Sequence, residues 1–265
     1  MFIAAKKSLG QNFLISPRII DTIIETGSVD DHDIVLEAGP GKGVMTEKLL
    51  LCARQVIAVE KDERLAMFLD LKFKKEIESG KLKIISGDIL DFDPEQESLQ
   101  PGGYKIVANI PYYITGKFLR HFLSEVSQPS KMVLMLQKEV VKRIVAKNDK
   151  ESILSISIKT FGVTKFIETV KAEMFRPRPK VDSSILLIDK ISKDFFKHTD
   201  EKKFFEVVKA GFSSKRKKLI SNLSPFAERE KMKVFFGQLQ IEENTRAEDL
   251  PLSKWKSLAS KLVQK

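Results

Sequence analysis

A glycine-rich loop follows the first apolar strand pattern of the chain and has the composition of a nucleotide-type site. Residues 34–37 predict a short buried strand, and Ala38-Gly39-Pro40-Gly41-Lys42-Gly43 comes directly after it. Glycines at alternate positions let the backbone turn tightly and approach a ligand without a Cβ clash. The spacing matches neither the G-x-G-x-x-G of dinucleotide folds nor a P-loop. By itself the loop fits a structural turn as well as a binding loop.

Two acidic residues occur at the ends of the next two predicted strands. Glu60 closes the strand predicted over residues 55–60, and Asp88 follows the one predicted over residues 82–86. A carboxylate at the first position can accept both hydroxyls of a ribose, and an acceptor at the second can take the amino group of an adenine. Each could also be an ordinary surface carboxylate. Together with the glycine loop, they predict a pocket for an adenosine-bearing ligand.

A fourth strand pattern, residues 105–108, ends in Asn109-Ile110-Pro111-Tyr112. The proline removes an N–H and fixes φ, so the chain must leave the sheet there. The Asn109 side-chain oxygen and the Ile110 carbonyl are acceptors that can hold an exocyclic amino group, and the ring of Tyr112 can stack on a base. This loop therefore predicts a base-binding position beside the ligand pocket.

Strand patterns alternate with helical patterns through the first two thirds of the chain. Further strands are predicted over residues 132–137 and 185–188, and helices over residues 45–51, 63–77 and 117–126. This alternation predicts an α/β fold with a parallel sheet. After about residue 190 only helical patterns occur, over residues 204–212, 216–223, 229–236 and 253–263. We therefore expect an α/β domain at 1–190 and a small all-helical domain at 191–265.

The composition limits the possible partners and compartments. The 265 residues carry 46 Lys and Arg against 36 Asp and Glu, a net charge of +10, so nucleic acid or another anionic surface is a candidate partner. Cys52 is the only cysteine, which excludes an intramolecular disulfide and a thiol-ligated metal cluster. No run approaches the roughly 18 apolar residues of a membrane span, and we expect a cytoplasmic protein.

Over nearly its whole length the chain resembles the adenine-N6 dimethyltransferases of small-subunit ribosomal RNA. Matches to that family are a segment at residues 7–14, the cofactor loop at 35–46, the catalytic loop at 109–115, a Phe-x-Pro-x-Pro-x-Val-x-Ser loop at 175–183, and a basic helix at 212–223. Lys42 and Ala38 depart from the usual residues of the cofactor loop. The resemblance implies a Rossmann-like class I methyltransferase domain, dependent on S-adenosylmethionine, followed by a helical domain that binds RNA.

The resemblance also implies roles for individual residues. The cofactor-binding set is Gln11, Asn12, Leu14, Gly39, Gly41, Glu60, Asp88, Ile89 and Asn109. The target adenine is held by Asn109, Ile110 and Tyr112, with Phe175 covering the other face of the ring. Phosphates of the RNA are contacted by Arg176, Arg178, Lys215, Arg216, Lys217 and Lys218. A methyl sulfonium is already a good electrophile, so no metal is expected.

The implied activity is dimethylation of two adjacent adenines in 16S rRNA, within the pre-30S subunit, by a monomeric enzyme. Three alternatives remain open at this point. One is a resistance-type methyltransferase that acts on large-subunit RNA, and another is a ribosome-assembly factor that kept the fold without the activity. A small-molecule methyltransferase is the third, and the +10 charge disfavours it.

Overall fold

The computed structural model describes residues 3–6, 9–146 and 148–263, and the chain divides into two compact units. The first comprises Met1–Val141 and Val163–Ser192, and the second comprises Lys142–Gly162 and Lys193–Lys265. These units differ from the sequence-based limits of 1–190 and 191–265 mainly in residues 142–162. That segment precedes the last two long strands in the chain, but its contacts group it with the C-terminal helices.

A seven-stranded sheet forms the centre of the first unit. Its strands are β2 (Ile34–Ala38), β3 (Gln55–Glu60), β4 (Leu82–Ser86), β5 (Tyr104–Asn109), β6 (Lys131–Gln137), β7 (Val163–Val170) and β9 (Ser183–Asp189). The order is β4-β3-β2-β5-β6-β9-β7, parallel from β4 to β6, with β9 antiparallel to both of its neighbours. The predicted α/β fold is therefore confirmed, with a sheet that is parallel over five strands and antiparallel at β9 and β7. Because the chain leaves β2 towards β3 and returns on its other side as β5, a crevice opens at the carboxyl ends of these strands.

Helices flank this sheet: α1 (Pro17–Gly27), α2 (Val44–Cys52), α3 (Glu63–Lys72), α4 (Lys74–Glu78), α5 (Thr115–Ser124) and α6 (Lys138–Val145), which spans the unit boundary. The single helix predicted over residues 63–77 is broken at Phe73. Phe73 is buried, and its ring lies only 2.6 Å from where a Cβ on Gly43 would be. The helix therefore breaks at the residue that packs against the glycine loop.

Two features of the first unit have weak sequence signals. Strand β7 was not predicted, because most of its residues are only partly buried and apolar and polar side chains do not alternate regularly. A second, two-stranded sheet pairs β1 (Phe13–Leu14) with β8 (Phe175–Arg176), antiparallel. Strands of two residues have no periodicity to detect, and their partners here lie more than 160 positions apart in the sequence.

The described residues of the second unit contain helices and no strand: α7 (Ile153–Lys159), α8 (Glu201–Gly211), α9 (Leu219–Asn222), α10 (Arg229–Gln238) and α11 (Leu252–Val263). Helices after residue 190 were expected, whereas α7 was not predicted. Trp255 is fully buried in its core and stacks on Phe212 at 5.6 Å. A Cβ on Gly211 would lie 2.3 Å from the Trp255 ring, so only glycine fits there. None of the helices in the described part of the chain has the length and apolar character needed to cross a bilayer.

The prediction of a helix over residues 216–223 is wrong for the first half of that range. Only Leu219–Asn222 is helical, and residues 213–218 form a turn. The buried side-chain amide of Asn222 donates to the carbonyls of Gly211 at 2.6 Å and Ser214 at 3.0 Å. These two hydrogen bonds stabilise the turn at the place where a continuous helix was predicted. We call Lys215–Lys218 in this turn the basic segment.

Candidate functional site

The glycine loop leaves the carboxyl end of β2 in left-handed backbone conformations. Gly39, Gly41 and Gly43 have φ of +71°, +60° and +73°, values that disfavour any side chain. Nothing lies within 4 Å of where a Cβ on Gly39 would be, so space is open beside that backbone, whereas a Cβ on Gly41 would come within 2.9 Å of the Phe13 ring. The loop therefore presents bare backbone to the crevice and closely approaches the N-terminal segment.

Glu60 ends β3 beside this loop, and its carboxylate is held by backbone amides. One oxygen accepts from Gly41 N at 3.0 Å and the other from Asp62 N at 2.9 Å. The side chain is 5% exposed, and this burial raises its pKa although the two amide bonds act in the opposite direction. Each oxygen still has a second lone pair, so the carboxylate can accept further hydrogen bonds from hydroxyls in the cleft.

Asp88 follows β4 on the same side of the sheet. Its carboxylate accepts from Lys61 Nζ at 2.6 Å and from Leu90 N at 3.0 Å. Burial alone would raise its pKa, but the bonds from Lys61 and Leu90 together outweigh burial and lower it. The group is therefore an anionic acceptor at neutral pH, and any ligand amino group must share it with the Lys61 ammonium.

Asn109 ends β5 with its side-chain amide oriented by the N-terminal segment. Its Nδ2 donates to the backbone carbonyl of Asn12 at 3.0 Å. The next residue, Ile110, is buried and its N–H donates to Met135 O in β6 at 3.3 Å, after which Pro111 takes the chain out of the sheet. With its NH2 group engaged, Asn109 presents its oxygen as the acceptor.

Tyr112 and Phe175 line the same cleft from different loops. The Tyr112 hydroxyl hydrogen-bonds to Ser183 Oγ at the start of β9, at 2.9 Å, and burial raises its pKa. Phe175 belongs to β8, which β1 holds through the pairing of Leu14 with Phe175. Tyr112 is thus fixed to the seven-stranded sheet through β9, and Phe175 is fixed in the two-stranded sheet through β1.

One cleft brings together most of the residues that the sequence predicts for a site. It contains about 870 Å³ of space including its open mouth. Predicted residues on its wall are Gln11, Asn12, Gly39, Gly41, Glu60, Asp88, Ile89, Asn109, Ile110, Tyr112 and Phe175. Leu14 and Arg176 line an adjoining cavity, which shares Gly39, Gly41 and Asn109 with the cleft.

The other predicted residues lie outside these cavities. Arg178 is exposed in the loop after β8, and the four cations of the basic segment are exposed in the second unit. The basic segment is a turn and not the helix that the family resemblance implied. Lys7 and Ser8, which belong to the N-terminal motif, lie outside the described residues.

Four residues at or beside the cleft were missed by sequence reasoning. Lys61 and Tyr113 line it, while Asp62 and Ser183 hold residues that do. Ser183 closes the Phe-x-Pro-x-Pro-x-Val-x-Ser motif, so that motif was a signal that could have identified it. Asp62 had no comparable signal, because its partners in the N-terminal segment, Lys6 and Gln11, lie more than 50 positions away in the sequence.

Glu37, beneath the glycine loop, is the most strongly perturbed carboxyl group of the site. It is fully buried, one oxygen accepts from Thr46 Oγ1 at 2.7 Å, and the other has no hydrogen-bond partner. Burial, with a further contribution from the Glu60 charge, raises its pKa to about 8. Glu37 is therefore protonated at pH 7, which keeps a second negative charge away from Glu60.

Comparison with known protein sequences identifies related proteins along the full chain. The family model for ribosomal RNA adenine dimethylase matches residues 3–264. Ribosomal RNA small subunit methyltransferase A of Dehalococcoides mccartyi is 40% identical over 256 residues, 96% of this chain and 87% of the relative. The protein of the same name from Fusobacterium nucleatum subsp. nucleatum is 36% identical over 254 residues, 94% of each chain.

Two solved structures share this architecture at 25% sequence identity or more. The 23S rRNA methyltransferase ErmE superposes with a TM-score of 0.80 at 25% identity, covering 96% of this chain and all of that one. A dimethyladenosine transferase from Plasmodium falciparum gives 0.79 at 26% identity, covering 93% and 95%. Both likenesses include the sheet and the C-terminal helices.

Proposed function

Since the chain belongs to the ribosomal RNA adenine dimethylase family and is an rRNA adenine-N6 dimethyltransferase, we propose how its cleft performs this reaction on small-subunit RNA. The substrate is a pair of adjacent adenines in 16S rRNA, and the methyl donor is S-adenosylmethionine. One observation carries this proposal: Asn109 and Tyr112, suited to hold a base, line the same cleft as Glu60 and Asp88, suited to hold an adenosine.

The cofactor pocket fits an adenosine-bearing ligand by the chemistry of its acceptors. Glu60 accepts the ribose hydroxyls and Asp88 the adenine amino group, while Ile89 provides an apolar wall for the ring. The bare backbone of Gly39 and Gly41 allows close approach. Gln11, Asn12, Leu14 and Asn109 complete the set of residues that we assign to the cofactor. When bound, S-adenosylmethionine supplies a methyl group on a sulfonium, which needs no Lewis acid for activation, so we expect no metal.

Residues of the Asn109–Tyr112 loop orient the target base. The lone pair of adenine N6 is delocalised into the ring, which makes it a weak nucleophile. The Asn109 side-chain oxygen and the Ile110 carbonyl accept its two N–H groups, direct the lone pair at the methyl carbon, and stabilise the positive charge that develops on nitrogen. Tyr112 stacks on one face of the ring and Phe175 covers the other. The proton leaves to water after transfer.

A base in a stacked RNA helix cannot reach this cleft, so it must be extruded or taken from a loop. We assign phosphate binding to Arg176 in β8, to Arg178 in the loop after it, and to the basic segment. The net charge of +10 agrees with an RNA partner. We infer a role in late small-subunit maturation in the cytoplasm, carried out by a monomeric enzyme.

Methylation of isolated subunits tests this proposal. The purified protein is incubated with S-adenosylmethionine and with either undermethylated 30S subunits or 50S subunits. The nucleosides of the RNA are then quantified by mass spectrometry. We expect two N6,N6-dimethyladenosines per 30S subunit and none in 50S subunits. Product only in 50S subunits would establish the large-subunit activity for which the likeness to ErmE offers a precedent, and no product in either would mean a non-catalytic factor.

The variant Asn109→Ala tests the chemical step separately from RNA binding. It removes the acceptor that orients N6, and loss of one such preorganised group lowers rates by about 10²–10³-fold in other enzymes. We expect RNA binding to be retained, since the phosphate contacts are elsewhere. Full single-turnover activity of Asn109→Ala would contradict the mechanism while leaving the activity itself in place.

A further inference from the structure

The orientation of the Asn109 amide depends on a backbone group from the other end of the domain sequence. Its Nδ2 donates to the Asn12 carbonyl at 3.0 Å. A backbone carbonyl can only accept, so the group that faces it must be the NH2, and the side-chain oxygen is left to face elsewhere. If the Asn12 carbonyl moved, nothing else among the described hydrogen bonds would select this orientation over the flipped one.

The segment that carries Asn12 is held at both ends. On its C-terminal side, Phe13 and Leu14 pair with Arg176 and Phe175. On its N-terminal side, the Asp62 carboxylate accepts from Gln11 Nε2 and from Lys6 Nζ, each at 3.2 Å. Gln11 also accepts from the backbone N–H of Lys6 at 2.6 Å, which closes a small hydrogen-bonded network. Both polar ends of the Gln11 side chain therefore have partners within the protein.

Asp62 is rigid enough to serve as this anchor. Its carboxylate is completely buried and accepts from Arg64 Nη2 at 2.6 Å and from Arg64 Nε at 3.0 Å. Its backbone N–H donates to Glu60, and it caps the first turn of α3 by accepting from Arg64 N. These charge-assisted bonds, led by those from Arg64, lower its pKa, so the anchor is ionised at neutral pH.

Asp62 does not line the cleft, so it acts through other residues. We propose that Asp62 is a positioning residue for methyl transfer: by fixing the N-terminal segment, it holds the Asn12 carbonyl that orients the Asn109 amide. This inference rests on the proposed function. It means that one segment serves two steps, since the same residues that cover the cofactor also set the acceptor for the target N6. Loss of the anchor should slow the chemical step even when cofactor and RNA are saturating.

The variants for a test are Asp62→Ala, which deletes the anchor, and Asp62→Asn, which keeps its shape and some hydrogen bonds. Asp70→Ala is the matched control, because it removes an exposed carboxylate from the same helix, α3. Rates are measured on undermethylated 30S subunits with both substrates saturating, and S-adenosylmethionine affinity is measured by calorimetry. Thermal unfolding verifies that each variant is folded.

We expect Asp62→Ala to lower kcat by about 10–100-fold, as misplacement of a catalytic group from a distance can do, with a smaller change in cofactor affinity. Asp62→Asn should lie between it and the wild type, and Asp70→Ala should match the wild type. A normal kcat with weakened cofactor affinity would make Asp62 a cofactor clamp only and overturn the proposal. Should Asp62→Ala be unfolded, Asp62→Asn gives the same decision.

A double substitution separates positioning from general destabilisation. If Asp62 acts through Asn109, adding Asp62→Ala to Asn109→Ala should reduce kcat little further, because the group to be positioned is already gone. Losses that multiply would overturn the proposal. Failure of the proposed function is distinguishable, because the wild-type enzyme would then leave 30S subunits unmethylated.

Discussion

The cleft of the first unit and the basic segment of the second use charged groups in opposite ways. Around the cleft, Glu60, Asp62 and Asp88 are largely buried, and each has two or more hydrogen-bond donors of the protein around it. In the basic segment all four cations are exposed. Buried, partnered charges act through geometry at a few ångströms, whereas exposed charges act at longer range and are screened by salt. The two regions should therefore respond differently to mutation and to ionic strength.

After Asn109, the largest effect at the cleft is expected at Tyr112. Tyr112→Ala removes the stacked ring, and base–aromatic stacking contributes about 1–3 kcal/mol, so transfer should slow by roughly 10–100-fold. Tyr112→Phe keeps the ring and loses only the bond to Ser183, so it should be mild. Single-turnover methylation of 30S subunits measures both. A Phe variant as impaired as the Ala variant would show that the hydroxyl, and not the ring face, carries the function.

Loss of the Glu60 carboxylate should weaken cofactor binding without a matching loss of RNA binding. Glu60→Ala removes the proposed ribose acceptor, an effect of about 1–3 kcal/mol, while affinity for RNA should stay near that of the wild type. Calorimetric titration with S-adenosylmethionine, paired with a subunit-binding assay, separates the two. Unchanged cofactor affinity would remove Glu60 from the ribose site.

Glu37, beside the cleft, gives the protein a pH-dependent stability. Its folded pKa of about 8 lies above the ordinary value of 4.5, so the folded state keeps a proton that the unfolded state releases between these values. Its contribution is complete below pH 4.5 and falls as pH rises towards 8, by at most about 1.4 kcal/mol per pH unit. Glu37→Gln, which mimics the protonated acid, should flatten the pH dependence of urea unfolding between pH 5 and 8.

The control for Glu37 is Glu125→Gln, which changes an exposed glutamate. It should leave the slope of stability against pH as in the wild type. An equal slope in wild type and Glu37→Gln would mean that Glu37 is ionised in the folded protein at neutral pH.

The smallest effect on chemistry is expected from the basic segment. Replacing Lys215, Arg216, Lys217 and Lys218 by Ser should leave the saturated rate and cofactor affinity unchanged. Affinity for 30S subunits should fall, and each lost phosphate contact should reduce the log–log salt slope by about 0.7–0.9. Binding titrations at several salt concentrations give the slope. A slope identical to that of the wild type would mean that these cations do not contact RNA.

Local sequence determined the parts of the fold whose causes lie within a few residues of each other. The buried strands β2 to β6 and the glycine loop with positive φ follow from apolar runs and from residue types that only certain backbone conformations accept. Because the carboxyl ends of parallel strands meet at one edge of a sheet, the sequence also predicted that Gly39, Glu60, Asp88 and Asn109 would be neighbours, and the structure places all four on one cleft.

Only the tertiary structure decided the contacts between residues that lie far apart in the chain. Asn12 orients Asn109 across 97 positions, Tyr112 bonds to Ser183 across 71, and Gln11 binds Asp62 across 51. Asn222 likewise turns the predicted basic helix into a loop. A hydrogen bond of this kind depends on where the packed core brings two side chains, and neither periodicity nor propensity contains that information. The sequence by itself therefore determined which groups can do the chemistry, and the packing decided which way they point.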